Sequence, residues 1–419
     1  MSTPAASVGT AYPSAAVQVR LVVLMTALSA MSYFNRTIMS ISGPGIMKEF
    51  QISEPSMGTV YSAFLLSYTL CMGLGGALAD RFGARRTLFV AGLCASAFTA
   101  LTSWCGPAGL GAYFGVTAAF IAVRFLFGVA TAPLYPSTAR ISADRIPPAS
   151  QSSVQSIVMA GAAVGAAISP VLFTRLIGSL GWRSAFVLAA ITTLLLLFVW
   201  LFAVPKDAPR RHRQPDKASG WGRLLANRDL LMLTAGYFML NYFEYIFFYW
   251  IYYYFGEIRK MGPEMGALAT TAMFVAMATM SPLGGWLADH AGRRIGKRKG
   301  RQLVSMSGMA LSAVLLFLGA RGAGVTATVV LLALALGCCT MAEGPFWATA
   351  IDIGGDQAGA SGGIMNTGGN VGGMLAPVVT PLIAARFGWA GGLYFASFLV
   401  LIGVFTWLWV NPERDAEPV

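Results

Sequence analysis

Four ionisable side chains fall inside long apolar runs of this chain: Arg36, Arg124, Glu244 and Glu343. A charge at membrane depth costs roughly 2.5–3.5 kcal/mol on insertion scales, so each is a candidate for function. Two guanidiniums sharing a cavity would suit an anion, because guanidinium stays charged and grips a carboxylate through paired N–H donors. The competing reading makes them structural partners of Glu244, Glu343 or backbone carbonyls. Glu244 stands 208 residues after Arg36. Buried without a cation, it could carry a proton and serve as a coupling site; otherwise it is a fixed ion pair with Arg36 or Arg124. Glu343 precedes Trp347 by four residues, which puts both on one helix face. A gate ion pair and a coupling site are both open for it. Tyr242, Tyr245 and Tyr249 share the Glu244 run at helical spacing, suited to lining a cavity or to packing. From Trp250 onward the aromatic residues read as an interfacial belt.

The rest of the chemical inventory is sparse. His212 and His290 fall in polar gaps, so no imidazole relay is expected in the membrane. Cys71, Cys94, Cys105, Cys338 and Cys339 lie in or beside apolar runs without a CxxC pair, and read as small buried hydrophobes. No nucleophile, base and orienting group occur together, and no metal-ligand cluster does. The expectation is a protein that is not an enzyme and uses no cofactor.

The elements that would hold these residues are membrane helices. Of 419 residues 56% are hydrophobic and only 11% charged, against roughly 25% charged in a soluble domain. That balance excludes a soluble enzyme and a disordered chain. The net charge of +12 is confined mostly to short hydrophilic gaps, which argues for a positive-inside pattern over nucleic-acid binding. Twelve apolar runs are expected as helices near 21–46, 57–79, 86–105, 111–139, 154–178, 183–204, 229–255, 264–288, 302–319, 325–351, 359–385 and 389–410. With the N-terminus inside, 20 Lys and Arg lie on the inner side and seven on the outer, so both termini are expected in the cytoplasm of a cell with an inner membrane.

The chain reads as two repeats. Gly76-Ala-Leu-Ala-Asp80 recurs as Gly285-Trp-Leu-Ala-Asp289, Gly161-xxx-Gly165 as Gly369-xxx-Gly373, and Pro170 with Gly181-Trp182 as Pro377 with Gly388-Trp389. The offsets are 209, 208 and 207, half the chain length. The expected organisation is a flexible tail over 1–19, a six-helix half over 20–204, a polar linker over 205–228, a second six-helix half over 229–410 and a tail over 411–419. The fold class is thus all-α membrane protein, with twelve spans in two pseudo-symmetric halves.

The loop after the second run reads Gly76-x-x-x-Asp80-Arg81-x-Gly83-x-Arg85-Arg86, which resembles the signature of the major facilitator superfamily. By that resemblance Gly76, Asp80, Arg81, Gly83 and Arg85, with Asp289 of the second copy, form a conformational latch. Gly76 would allow close helix approach, and Asp80 would cap a helix or pair across the seam. Within the superfamily the chain resembles the anion:cation symporters of sugar acids and other organic anions. The residues that carry this are Tyr33-Phe-Asn-Arg36, Ser62-Ala-Phe64 with Tyr68, Arg124-xxx-Gly128 with Pro136, Trp250-Ile-Tyr-Tyr-Tyr254, and Gly363-Ile-Met-Asn366 with Gly369-Asn370 and Pro377.

The resemblance implies that Arg36 and Arg124 grip a substrate carboxylate while Tyr33, Tyr68, Trp347 and Asn366 line the cavity. Proton-coupled relatives carry Asp and Glu where this chain has Asn35 and Thr131, so the usual coupling positions are neutral here. The implied function is alternating-access transport of a small organic anion, coupled to a proton or sodium ion, by a monomer in the lipid bilayer. Export or exchange of an aromatic or amphipathic compound is the alternative.

Overall fold

The computed structural model describes residues 12–205, 221–322 and 324–411, and these are almost entirely helical with no strand among them. Nine helices among the described residues are long and apolar enough to cross a membrane. Two of them contain a break, at Gly181 (φ 78°) and Gly388 (φ 71°), where the chain takes a left-handed turn that glycine tolerates without a Cβ clash. Counting each as two and adding the shorter Ala84–Thr102 gives twelve spans among the described residues. In order they are Ala15–Phe50, Glu54–Phe82, Ala84–Thr102, Val116–Arg145, 148–180, 181–203, 228–258, Gly262–Ile295, Lys297–Ala320, Val325–Gly354, 358–387 and 388–406. They are numbered spans 1 to 12 below.

The helix boundaries follow local chemistry. Ser53 accepts the Ser56 N–H at 3.4 Å to cap span 2, and Asn227 accepts the Leu230 N–H at 2.9 Å to cap span 7. Three spans are less regular than their apolar runs suggest. Span 4 is interrupted between Thr131 and Leu134, because Pro133 supplies no N–H to the helical ladder. Span 10 is interrupted at the equivalent place, between Thr340 and Glu343. Span 7 stays α-helical to Tyr249 and then passes into a π-turn over Tyr254–Ile258.

Each half packs through glycines that let backbones touch. A Cβ at Gly161 or Gly165 would lie 2.5 or 2.1 Å from the Thr26 or Ala30 carbonyl of span 1, so spans 1 and 5 are in backbone contact. The halves meet near one end. Ser62 donates to the Met374 carbonyl at 2.6 Å, Tyr253 to Glu54 at 2.5 Å, Thr174 to Tyr252 at 3.1 Å and Thr271 to the Ala167 carbonyl at 2.9 Å. All lie away from the basic loops at Arg81–Arg86 and Arg293–Arg301. Nearer those loops Trp347 is 37% exposed, and Gly73 and Gly363 face open space. The seam is shut at one end and parted at the other.

Some single-residue expectations are corrected. Trp250, Tyr252 and Tyr254 do not form a surface belt. They are buried, and Trp250 donates to the Pro377 carbonyl at 3.0 Å, tying span 7 to span 11. Cys94 is exposed, on the outer face of span 3. His290 belongs to the last turns of span 8 and stacks on Trp286, while His212 lies outside the described residues.

Candidate functional site

Spans 1, 2 and 4 bring Arg36 and Arg124 to one aromatic cluster. Arg36 stands one turn after Tyr33, and its guanidinium lies 4.4 Å from the Tyr33 ring centre, 4.6 Å from Phe64 and 5.2 Å from Tyr68. Arg124 stands one turn before Phe127, at 4.5 Å, and lies 5.3 Å from the opposite side of the cluster at Phe64. Phe64 is therefore shared by both cations. Ring faces attract a guanidinium and exclude water, but they take none of its N–H donors.

Three of those donors are left over. Arg36 Nε, Arg124 Nε and Arg124 Nη1 are buried and have no hydrogen-bond partner. Neither Arg has a carboxylate within 4.0 Å among the described residues; ion pairs form elsewhere, as between Arg140 and Asp80 or Asp144, Arg183 and Glu49, and Arg301 and Asp352. The fixed pair with Glu244 or Glu343 is thus not formed. A buried cation with idle donors is costly unless something completes it.

The facing wall belongs to the second half. Tyr33 meets Phe248 edge-on at 6.1 Å, and Tyr61 stacks on Tyr249 at 5.0 Å. Tyr245 packs over Gly373, between Phe248 and Tyr249. Tyr242 instead bonds Thr380 at 3.2 Å and packs on Phe395 within its own half. Toward the open end, Trp347 donates to the Tyr237 hydroxyl at 3.2 Å, and the Asn366 amide reaches Met72 Sδ at 3.7 Å across the seam. Glu244 is 6% exposed, and Glu343 accepts from Ser281 at 3.2 Å.

Asn35 and Thr131 come together, but in a different place. With Ser32 and Thr193 they line a cavity of about 50 Å³ among spans 1, 3, 4 and 6. Asn35 donates to Thr193 at 2.8 Å, and Thr131 donates to the Phe127 carbonyl at 3.0 Å. Consecutive residues of a helix point about 100° apart, so Asn35 turns into the first half where Arg36 turns to the aromatic cluster.

The signature loop is a separate structure. Asp80 pairs with Arg140 of span 4 at 3.3 Å, within its own half, and Asp289 is exposed without an ion pair to any described residue. Gly83 makes the turn between spans 2 and 3 with φ 91°. Arg85 donates to the Leu201 carbonyl, and the Arg81 guanidinium lies 5.3 Å from Phe82. The close approach of spans 2 and 4 falls on Gly75, where a Cβ would sit 2.7 Å from Pro133 Cα; at Gly76 the nearest atom is 3.6 Å away.

The family model described as Major Facilitator Superfamily matches residues 25–362 and 267–419. The chain belongs to the major facilitator superfamily. It is a multi-pass membrane transporter and not an enzyme. A probable sulfoacetate transporter of Cupriavidus necator is 28% identical over 412 residues, covering 93% of each chain. A hexuronate transporter of Bacillus subtilis is 27% identical, over 91% of this chain and 93% of that one. Among solved structures, a bacterial homolog of the human lysosomal transporter Spinster superposes with a TM-score of 0.81 at 14% identity, over 95% and 98% of the two chains. A D-xylose-proton symporter superposes with a TM-score of 0.78 at 15% identity, over 96% and 100%. These likenesses confirm the two-half facilitator fold. Phe64, Phe127, Tyr61 and Phe248 were not singled out as site residues from sequence, although Phe127 stands at Arg124+3 and Phe64 lies in a motif that carries the family resemblance.

Proposed function

We propose that this facilitator moves a small organic anion, a sugar acid or another carboxylate or sulfonate, by alternating access of its two halves. The observation that carries the reading is the pair of buried guanidiniums with idle N–H donors and no protein carboxylate within 4.0 Å among the described residues. An anion supplies the missing acceptors, and the aromatic cluster keeps the site dry so that each charge-assisted hydrogen bond counts. The relatives named for sulfoacetate and hexuronate transport agree with an acidic cargo. Arg36 and Arg124 bind the anion, Tyr33, Tyr68 and Tyr245 shape its chamber, and Trp347 and Asn366 stand on the path to the open end.

The basic loops at the open end support a reading in which that end and both termini face the cytoplasm, and the chain divides functionally at the 205–228 linker. Coupling to a proton makes the movement active. A thermal-shift panel on purified protein, followed by counterflow in liposomes, tests the reading. Sulfoacetate, D-glucuronate and galactarate are set against neutral sugars and lipophilic aromatic cations. Stabilisation by an acidic compound, lost in Arg124→Ala, is expected. Stabilisation only by neutral or cationic compounds, unchanged in that variant, would overturn it in favour of an aromatic or amphipathic cargo.

A further inference from the structure

We infer that the cargo is a dianion, a small molecule with two separate acid groups, one for each buried arginine. The inference deepens the anion reading and rests on it. It is carried by the charge balance of the first half. Spans 1 to 6 hold two cations at membrane depth, Arg36 and Arg124, which are 4% and 1% exposed. The same half has four carboxylates, and each is engaged near an end of its span. Glu49 pairs with Arg183 at 2.6 Å, Glu54 accepts from the Tyr253 hydroxyl, and Asp80 and Asp144 share Arg140. Asn35 and Thr131 add no charge. Glu244 and Glu343 belong to the other half, and neither comes within 4.0 Å of Arg36 or Arg124.

The rings do not make up this deficit. Their faces attract a guanidinium, but they carry no net charge. A ligand with one negative charge leaves the second cation buried and uncompensated, which is the costly arrangement. A ligand with two removes that cost. The idle nitrogens are divided in the same way: Nε on Arg36, and Nε with Nη1 on Arg124. A single carboxylate has two oxygens, and a bidentate grip by one guanidinium engages both. The other arginine then needs a second acid group.

The spacing suits a short molecule. The two guanidiniums lie 4.6 and 5.3 Å from the centre of one ring, Phe64, so they can be no farther apart than those distances laid end to end. Their remaining rings differ. Arg36 has Tyr33 and Tyr68, and Arg124 has Phe127. Each acid group therefore has its own cation among its own rings, and the carbon skeleton between them lies near Phe64. A sulfonate–carboxylate such as sulfoacetate and a six-carbon dicarboxylate such as galactarate both satisfy this limit. D-Glucuronate, with one acid group, leaves one arginine unmatched.

Calorimetric titration of the purified full-length protein with matched ligands tests the inference at neutral pH. Sulfoacetate and sulfoacetamide share a skeleton and differ by one charge. Galactarate and D-galactonate differ by one charge at one end of a six-carbon chain. In wild type at least one dianion is expected to bind about 10- to 150-fold tighter than its monoanionic partner, the usual effect of one more hydrogen bond to a charged group. Arg36→Gln and Arg124→Gln each leave a single cation. In either variant the dianion should weaken by that factor and the monoanion by much less, so the selectivity collapses. A variant that fails to fold loses both members of a pair together, and the wild-type comparison then decides. The inference is overturned if wild type binds the monoanion of each pair as tightly as the dianion or more tightly, or if the selectivity survives in both glutamine variants. Equal binding leaves the anion reading standing. No response of wild type to any of the four anions removes the anion reading itself.

Discussion

Arg124 is held by rings rather than by a counter-charge, and this sets what its loss should do. Truncation removes two or more donors to the anion together with the contacts to Phe64 and Phe127. Losing one member of a buried charge pair costs about 2 kcal/mol or more, roughly a 30-fold loss of affinity. Arg124→Ala should weaken the stabilising anion by at least that factor in the thermal-shift assay; an unchanged affinity would remove Arg124 from the site. Arg36→Lys keeps the charge but gives up the planar face that lies over Tyr33, Phe64 and Tyr68. It should lower affinity by less than Arg36→Ala. Equal losses in the two variants would mean that guanidinium geometry, and not charge, governs binding.

Within elements, the decisive contacts are backbone approaches. Span 2 crosses the break in span 4 at Gly75, and a methyl there meets Pro133 backbone atoms that cannot give way. Gly75→Ala should cost about 1–3 kcal/mol through overpacking and lower the melting temperature. Gly76→Ala, with its nearest atom at 3.6 Å, should leave it nearly unchanged. If the two variants melt alike, the packing of spans 2 and 4 differs from that described. The interruptions in spans 4 and 10 matter for the same reason. Thr131 sits just before one and Glu343 begins the helix after the other, so both side chains leave their spans where the helical ladder is already open.

Across the whole molecule, closure is concentrated at one end of the seam. A Cβ on Gly58 would stand 2.0 Å from the Pro377 carbonyl of the opposite half. Gly58→Val should prise that end apart without touching the site, and a cysteine placed at Ser62 should then react faster with a membrane-impermeant thiol reagent. No change in labelling would place the closed end elsewhere. The orientation is tested the same way. A cysteine at Gly109, in the turn before span 4, should label from outside intact cells, and one at Ser219 in the linker only after the membrane is opened. The reverse pattern would invert the topology and with it the direction of the open chamber.

Length, hydropathy and charge placement were enough to read a membrane protein of twelve spans in two halves, with four ionisable residues at depth. These are properties of runs, and a bilayer imposes them on the chain one segment at a time. The repeat offsets carried the two-half organisation for the same reason, while the resemblance to the superfamily rested on the loop from Gly76 to Arg86. Facing was not legible, because a helix turns about 100° per residue and a single break re-aims everything beyond it. Only the tertiary structure separated Arg36 from Asn35, moved Trp250 from a surface belt to a buried tie on Pro377, shifted the tight crossing from Gly76 to Gly75, and left two arginines caged by rings with three of their N–H nitrogens unpartnered. Whether a buried charge is paired depends on what three or four spans bring within about 4 Å, and that is decided by packing.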